Sequence, residues 1–349
     1  MNIPHSRPTI SSRDHKSVQK VLLSSFIAQG RELCEFERKF SQYVDVKDAV
    51  AVSSGTAALH LALAALDIKQ DDEVIIPSYV CTALLNACLY VGARPRLADV
   101  NPEDGNICAA DVKKRLTRRT KAIIVPHMFG LPADLKPLLK LGVPIIEDCA
   151  QAIGAEYNGK KVGSWGIISI CSFYATKVLT TGEGGMLLSN HRKYLDRARD
   201  LRSYDHCLSY QVRFNYKMTN IQAALGLSQL QQLPHFIKRR QLIAGRYNQA
   251  FKDLNFRVPP VFPGREHIFY RYVIRMKSPA AKMMSRLRKN GVDASSPVFK
   301  PVHVYLKQRG FPVTEDLMAK TISLPIYPTL AENQIQKIIT TLHAQSGTV

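Results

Sequence analysis

The sequence lacks an apolar run long enough to cross a membrane. A spanning helix needs about 20 consecutive apolar residues, whereas the most apolar segment, residues 57–66, is shorter and contains His60. Residues 1–17 have neither an apolar core nor a small-residue cleavage site, so we do not expect them to act as a secretion signal. We therefore expect a cytoplasmic protein without a membrane partner.

The chain also lacks a cysteine pattern that would predict disulfides or zinc. Its seven cysteines are odd in number, include no CxxC pair and lie mostly in apolar stretches. Scattered cysteines of this kind are typical of reduced thiols. We expect neither a disulfide framework nor a metal site.

Acidic residues are scarce. The chain has 48 Lys and Arg against 28 Asp and Glu, a formal net charge of +20, and its pI is near 9.7. The basic residues recur in helix-like stretches such as 192–202 and 237–246, and they do not form a tail interleaved with exposed aromatics. Nucleic acid is therefore not the expected partner. Solvated helix faces and attraction of a small polyanion, such as a sugar diphosphate, both explain the charge.

Apolar strand-like runs alternate with amphipathic helical runs through the first two-thirds of the chain. This alternation predicts an α/β fold, in which helices sandwich a mostly parallel sheet. Predicted helices include residues 31–43, 57–66 and 82–91. The seven predicted strands cover residues 49–52, 73–76, 94–98, 122–125, 144–147, 167–173 and 185–189.

The C-terminal third has a different pattern. Residues 219–254 are continuously helical in pattern, with an expected break at Pro234. The proline-rich remainder resembles a smaller α+β domain. We expect a large domain over residues 1–235 and a small domain over residues 236–349.

Polar residues follow two of the predicted strands. Asp148 ends one strand, Ser172 ends the next, and Lys177 lies in the polar loop after it. Ligand sites of open α/β sheets form where parallel strands end, so we expect these three side chains to converge. Taken alone, a lysine in such a loop would be only a solvated charge.

A second element, SSGT at residues 53–56, joins a predicted strand to an Ala/Leu-rich helix. A helix N-terminus offers free N–H groups and a positive dipole end, which suit a phosphate. Neither a Walker GK[ST] nor a GxGxxG sequence accompanies it. A phosphate site, a lysine and a buried acid together indicate pyridoxal 5'-phosphate (PLP), which needs a lysine for its aldehyde and an acid at its pyridine nitrogen.

The sequence resembles the DegT/StrS family of nucleotide-sugar aminotransferases, which are fold-type-I PLP enzymes. The resemblance covers nearly the whole chain. It is carried by IPHSRPTIS, FIAQGRELCEFERKFSQY, SSGTAALHLALAAL, DDEVIIPSYV, GARPRLADV, VPHMFGLPADL, EDCAQAIGAEYNGKKVGS, CSFYATKVLTTGEGG, NYKMTNIQAALGLSQL and LPIYPTLAENQ.

The resemblance implies a role for each matching residue. Lys177 is the Schiff-base lysine and the proton carrier of the reaction, and Asp148 pairs with the pyridine nitrogen. Gln151 lies beside the ring, near the phenolic oxygen of the cofactor. The phosphate is held by Gly55, Thr56 and Ser172 of the same chain and by Asn215 of the neighbouring subunit. A homodimer with shared active sites is therefore implied.

Three parts of the sequence depart from the family pattern. They are position 81, positions 214 and 217, and residues 203–212, a stretch that often determines substrate specificity in the family. Cys81 stands where the family has an aromatic residue that stacks on the PLP ring, so this stacking is lost unless another side chain, such as Tyr79, takes that place. Phe214 replaces a glycine, and Lys217 replaces an arginine, which is not an equivalent cation. These changes indicate a divergent subgroup with an unusual acceptor.

The leading hypothesis is transfer of an amino group from glutamate, or glutamine, to a nucleotide-linked keto-sugar in surface-polysaccharide or secondary-metabolite biosynthesis. Candidate contacts to the substrate are Lys300, His303 and Lys307. An aminotransferase for a keto-cyclitol or a small keto substrate stays open, as does a PLP-binding regulator without catalysis. Related sugar dehydratases carry histidine in place of the lysine, so Lys177 argues against that activity.

Overall fold

The computed structural model describes residues 2–205 and 207–346. The α-helices in these ranges are α1 (Ser12–Ser24), α2 (Arg31–Val44), α3 (Gly55–Ala65), α4 (Ala83–Tyr90), α5 (Ala109–Arg115), α6 (Leu135–Leu139), α7 (Arg192–Arg202), α8 (Asn220–Phe251), α9 (Ala281–Lys289), α10 (Val302–Tyr305), α11 (Pro312–Lys320) and α12 (Glu332–Ser346). The strands are β1 (Asp48–Val52), β2 (Glu73–Pro77), β3 (Arg94–Ala98), β4 (Thr120–Pro126), β5 (Ile145–Asp148), β6 (Glu156–Tyr157), β7 (Lys160–Lys161), β8 (Ile168–Ser172), β9 (Gly185–Ser189), β10 (Phe256–Arg257), β11 (Tyr272–Met276) and β12 (Thr321–Leu324).

Within the described residues, seven strands form the main sheet in the order β1-β9-β8-β5-β4-β2-β3. The pairs from β8 to β3 are parallel, and β9 runs antiparallel to both of its neighbours. These are the seven strands that the sequence predicts. The expectation of a mostly parallel sheet is confirmed.

Alternate residues of the strands point to opposite faces of the main sheet. On β1, Ala49 and Ala51 join a core that includes α2 and the first half of α8. Val50 and Val52 join the opposite core, which includes α3, α4 and α7. Side chains alternate in this way because successive residues of a pleated strand face opposite sides. Helices therefore cover both faces, as the sequence predicts.

Helix α8 continues through Pro234, so the predicted break there is wrong. Proline in a helix interior removes a hydrogen bond and costs about 3 kcal/mol. Leu233 and Phe236 on either side are buried in the main core, and their burial, at about 1.5–3 kcal/mol each, offsets that cost. The expected domain boundary near residue 235 falls inside this helix and stays a prediction.

The C-terminal part has its own core. Strands β10, β11 and β12 form an antiparallel sheet. Tyr247 and Phe251, near the end of α8, are buried with residues of this sheet, of α9 and of α12. This mixture of helices and antiparallel strands agrees with the predicted α+β character. In the described part of the chain, no helix combines the length and apolarity needed to span a membrane.

Candidate active site

A cleft of about 200 Å³ lies where the parallel strands of the main sheet end. Its walls come from the segments that follow β1, β2, β4, β5 and β8. Because parallel strands end at the same edge of a sheet, residues far apart in sequence meet here. The predicted site residues that line the cleft are Gly55, Thr56, Cys81, Asp148, Gln151, Ser172 and Lys177.

The first turn of α3 forms one wall of the cleft. Ser54 caps the helix, since its hydroxyl accepts a hydrogen bond from the N–H of Ala57 at 3.0 Å. A Cβ at Gly55 would lie 2.7 Å from the Cβ of Ser172, so only glycine lets α3 approach β8 this closely. The free N–H groups of this turn, with the hydroxyls of Thr56 and Ser172, can bind a phosphate.

Asp148 ends β5 and is buried at the floor of the cleft. One of its carboxylate oxygens accepts a hydrogen bond from the N–H of Ala150 at 3.0 Å. Burial raises the pKa of Asp148, although this hydrogen bond and the positive charge of Lys177 oppose the rise. The raised pKa means that nearby donors and cations do not fully compensate the buried negative charge of Asp148. A further cation beside this carboxylate would therefore be stabilised.

Gln151 and Cys81 lie on other walls. The side-chain oxygen of Gln151 accepts a hydrogen bond from the N–H of Phe129 at 2.9 Å, which leaves its NH2 group to donate into the cleft. Cys81 is exposed on the cleft surface. Its thiol is nevertheless enclosed by protein on its other sides, and this desolvation raises its pKa.

Lys177 lies in the loop between β8 and β9. Backbone hydrogen bonds hold the two ends of this loop together. The N–H of Phe173 donates to the carbonyl of Gly184 at 2.8 Å, and the N–H of Thr181 donates to the carbonyl of Phe173 at 2.9 Å. The Nζ of Lys177 lies 5.2 Å from the centroid of the Tyr270 ring. Burial by itself would raise the pKa of Tyr270, but nearby cations, Lys177 foremost, lower it to about 8.

Glu147 is completely buried next to Asp148. Four donors surround its carboxylate, namely His127 Nε2 at 3.1 Å and the N–H groups of Gly163 at 2.8 Å, Trp165 at 2.7 Å and Gly166 at 2.6 Å. Burial raises the pKa of Glu147, but the hydrogen bonds outweigh it and the net shift is downward. The pair with His127 also ties β5 to β4 directly below the cleft.

This buried group also has the donor types of a metal site. Ligand atoms of His127, Glu147 and Cys149 lie within 4.8 Å of one another. However, both oxygens of Glu147 already accept N–H groups, and His127 Nδ1 accepts the N–H of Ala133 at 3.0 Å. The group therefore acts as a hydrogen-bond network that fixes the backbone of Asp148.

Several other predicted residues lie outside this cleft. Asn215 is exposed, between Phe214 and Tyr216, whose stacked rings have centroids 5.0 Å apart. Its contribution to a neighbouring subunit stays a prediction. Tyr79 is fully buried, and its hydroxyl lies 2.8 Å from Thr321 Oγ1. Tyr79 therefore does not take the stacking place that an aromatic residue at position 81 would have.

The three candidate substrate contacts are not among the residues that line the cleft. Lys300 lies over the ring of Tyr305 at 4.4 Å, and Lys307 is exposed. His303 is buried, with Nδ1 2.6 Å from Ser78 Oγ. A role for any of them in substrate binding stays a prediction.

The sequence did not single out two residues of the site, His127 and Tyr270. His127 directly follows β4, at the same sheet edge as Asp148, so the rule that identified Asp148 could have found it. Tyr270 belongs to a loop before β11, far along the chain from Lys177. No sequence pattern places it there.

Comparison with known proteins places the chain in one family. The model of the DegT/DnrJ/EryC1/StrS aminotransferase family matches residues 8–343. The chain is 36% identical to the GDP-perosamine synthase of Escherichia coli O157:H7, over 95% of each chain. It is also 36% identical to the GDP-perosamine synthase of Caulobacter vibrioides, over 96% of each.

Solved structures give the same result. The structure is similar to the aminotransferase TlmJ from Streptoalloteichus hindustanus, with a TM-score of 0.95, 31% identity and 99% of each chain covered. It is also similar to the PLP form of Spr1654 from Streptococcus pneumoniae, with a TM-score of 0.94, 25% identity, and 100% and 99% of the two chains covered. The chain belongs to the DegT/DnrJ/EryC1/StrS aminotransferase family and is a PLP-dependent aminotransferase.

Proposed function

We propose that the protein binds PLP and transfers an amino group from glutamate, or glutamine, to the keto group of a nucleotide-linked sugar. The observation that carries the proposal is the meeting of Lys177, Asp148 and the first turn of α3 in one cleft. Relatives named GDP-perosamine synthase support a nucleotide-linked acceptor. A spore coat polysaccharide biosynthesis protein, 33% identical, supports a place in polysaccharide synthesis.

The cleft residues fit PLP in kind and in position. The N-terminus of α3, with Gly55 packed against Ser172, suits the phosphate group. The buried Asp148, with its raised pKa, suits a protonated ring nitrogen. Lys177 provides the amine that such a cofactor requires. When bound, PLP supplies an aldehyde and a ring that withdraws electrons from the reacting carbon of the substrate.

Lys177, Asp148 and Gln151 would each have a separate role in the reaction. Lys177 would hold the cofactor, and its amine would take and return the proton of the reacting carbon. Asp148 is kept in place by its hydrogen bond from Ala150 and by the pairing of β5 with β4, and it would keep the ring nitrogen protonated. Gln151 has its NH2 group free to orient the ring edge.

We also propose that the protein is a cytoplasmic homodimer in which Asn215 completes the site of the partner. The exposed position of Asn215 supports this arrangement, because its side chain is available to another chain. Exposed apolar residues at the end of α1 and just after it, such as Leu23 and Phe26 at 78% and 76% exposed, offer surface that a second copy would cover.

Subunit mixing tests the shared site. Lys177→Ala and Asn215→Asp proteins, each inactive alone, are unfolded together and refolded. Random pairing would leave one intact site in each mixed dimer and restore about a quarter of the wild-type activity. No recovery from a refolded mixture would contradict a shared site.

Amino exchange tests the activity itself. Purified protein is incubated with PLP, glutamate or glutamine, and a panel of GDP-, UDP- and dTDP-linked keto-sugars, and products are identified by mass. We expect an aminated nucleotide sugar, formed by ping-pong kinetics, and none with Lys177→Ala. Transfer only to a free keto-sugar or keto-cyclitol would contradict the nucleotide-linked acceptor. Binding of PLP without any exchange would contradict the enzyme assignment.

A further inference from the structure

A second cavity, of about 80 Å³, lies between the main sheet and the C-terminal sheet and is named here the Phe129 cavity. Its walls come from the segments after β3 and β4 on one side, and from β11, the segment after β10 and the end of α11 on the other. Most of its lining is apolar or aromatic, including Met128, Leu131, Val258 and Leu317. In the described part of the chain, none of its lining residues also lines the cleft of Lys177.

Two aromatic rings form a corner of the Phe129 cavity. The rings of Tyr79 and Phe129 have centroids 6.2 Å apart and planes at 79° to each other. Gly105 packs against both, since a Cβ at this position would lie 3.4 Å from Phe129 Cε2 and 3.6 Å from Tyr79 Cδ1. A third ring in such a corner can stack on one ring and meet the other edge to face, which are the geometries that aromatic pairs favour.

The charged side chains of the Phe129 cavity are already paired. Among the described residues, each acidic or basic side chain that lines it belongs to one of three ion pairs, namely Arg257–Glu103, Arg275–Asp316 and Asp104–Arg265. His267 also lines the cavity, and desolvation lowers its pKa to about 3, so its ring is neutral at pH 7. A charged ligand would therefore lose its hydration without gaining a free counterion.

The size of the Phe129 cavity limits what it can hold. An enclosed cavity of about 150 Å³ accommodates benzene, and the Phe129 cavity has about half that volume. However, the side chains of Glu103 and Arg257 at its edge are more than half-exposed, so the cavity opens to solvent there. One ring can enter with its outer edge, and a small polar substituent, in this opening.

The backbone of Phe129 connects the cavity to the cleft. Phe129 has φ 62° and ψ 6°, a left-handed conformation that is costly for a residue with a side chain. In this conformation its N–H donates to Gln151 Oε1 at 2.9 Å, and its carbonyl accepts the N–H of Arg271 at 3.1 Å. The residue whose ring lines the cavity therefore also holds Gln151, which lines the cleft.

We propose that the Phe129 cavity binds one uncharged aromatic ring, of the phenol class, and that this ligand stabilises the conformation of Phe129 that holds Gln151 at the cleft. A ring packed against the Phe129 side chain binds this conformation in preference to relaxed ones, so it shifts the equilibrium towards it. Binding of the ring is independent of the proposed aminotransferase activity. Its effect on the cleft rests on the part of the proposed function that places PLP beside Gln151.

Titration with phenol, followed by ligand-observed NMR, tests the site in PLP-loaded protein. We expect the wild type to bind phenol with a dissociation constant of about 1 mM or lower, which is within reach of a single ring. Val258→Trp places a large side chain in the cavity and should weaken binding at least about tenfold. Val261→Trp is the matched control, because Val261 is 84% exposed in the same segment and does not line the cavity. Val258→Phe serves if Val258→Trp does not fold.

Three further probes test the chemical class of the ligand. Benzoate and benzylammonium carry a charge on a similar ring, and each should bind at least about fivefold more weakly than phenol because its charge finds no free partner. Cyclohexanol has a similar size without an aromatic system and should bind about two- to tenfold more weakly. Equal binding of cyclohexanol and phenol would overturn the aromatic class.

Equilibrium dialysis of PLP tests the connection to the cleft. Saturating phenol should lower the dissociation constant of PLP at least about twofold in the wild type and in Val261→Trp, and should leave it unchanged in Val258→Trp. By linkage, PLP should strengthen the binding of phenol by the same factor.

The outcomes separate the parts of the account. Absence of phenol binding, or equal binding by the wild type and Val258→Trp, would overturn the site. Binding of phenol that leaves the PLP constant unchanged would overturn the connection through Phe129 and Gln151. If phenol binds as expected but no keto-sugar is aminated, the proposed function fails while the Phe129 cavity stands as a ligand site.

Discussion

The amine of Lys177 lies 5.2 Å from the centroid of the Tyr270 ring. The two residues come from distant segments, the loop after β8 and the loop before β11. The hydroxyl of Tyr270 also lies 3.5 Å from Thr176 Oγ1. Burial alone would raise the pKa of this tyrosine, but the charges of Lys177 and Arg271 reverse that effect and lower it to about 8.

Ionisation of Tyr270 should therefore be visible in the cofactor-free protein. Ultraviolet titration should show one tyrosine that ionises near pH 8, well before buried Tyr43 and Tyr79, whose pKa values burial raises to about 12. The Tyr270→Phe protein should lack this step. Lys177→Gln should shift it to higher pH, because the cation that stabilises the phenolate is gone. A tyrosine that still ionises near pH 8 in the Tyr270→Phe protein would contradict the assignment of this step to Tyr270.

Replacement of Glu147 by glutamine should destabilise the fold. The amide would direct N–H groups at backbone donors that now point to a carboxylate, at a cost of about 3 kcal/mol. The thermal midpoint should fall by about 5 °C. Glu103→Gln, which alters an exposed ion pair, should change it little. Equal midpoints for the two variants would contradict a structural role for this network.

The contribution of Glu147 to the stability of the fold should be lost only at acidic pH. Its pKa is lowered in the folded protein, so its contribution to stability is complete above its unfolded value of about 4.3. That contribution is lost as the pH falls through the folded value. The difference in midpoint between wild type and Glu147→Gln should therefore be constant near neutral pH and shrink only in acid.

An aromatic ring at position 81 should strengthen PLP binding. Cys81 faces the cleft, and stacking of an aromatic ring is worth about 0.5–1.5 kcal/mol, or about two- to tenfold in affinity. Cys81→Phe should lower the dissociation constant of PLP by that factor, measured by quenching of tryptophan fluorescence. Cys81→Ser, which adds no ring, is the control and should not strengthen binding. Weaker binding by Cys81→Phe would contradict a stacking position at residue 81.

Asp148→Asn should separate cofactor attachment from catalysis. Lys177 would still hold PLP, so the visible absorbance should persist. The donor half-reaction should slow by about 100-fold or more, because a neutral amide cannot keep the ring nitrogen protonated. Stopped-flow absorbance measures this rate. Near-normal turnover by Asp148→Asn would contradict the proposed role of Asp148 at the ring nitrogen.

Much of the fold and part of the site could be predicted from the sequence. The strands were predictable because each is a short apolar run bounded by polar residues. Asp148 and Lys177 were predictable because they follow such strands and match family motifs. The course of helix α8 was harder to predict. Local rules favour a break at Pro234, but the burial of Leu233 and Phe236 keeps the helix continuous.

Contacts between distant segments were not predictable. Tyr79 looked available for stacking beside residue 81, but its hydroxyl is directed to Thr321 on β12, and only the folded C-terminal part provides that partner. The meeting of His5, Arg240 and Arg271 around one small cavity was likewise not predictable, because these residues share no motif. These side chains meet only through tertiary packing.

The most direct test of the account concerns Lys177. PLP-loaded protein is reduced with borohydride to fix the cofactor, digested, and analysed by peptide mass. We predict that the label lies on Lys177, that Lys177→Ala carries no label and no visible absorbance, and that the exposed-surface control Lys193→Ala behaves as the wild type. A label on another lysine, or an unchanged spectrum in Lys177→Ala, would contradict the central claim.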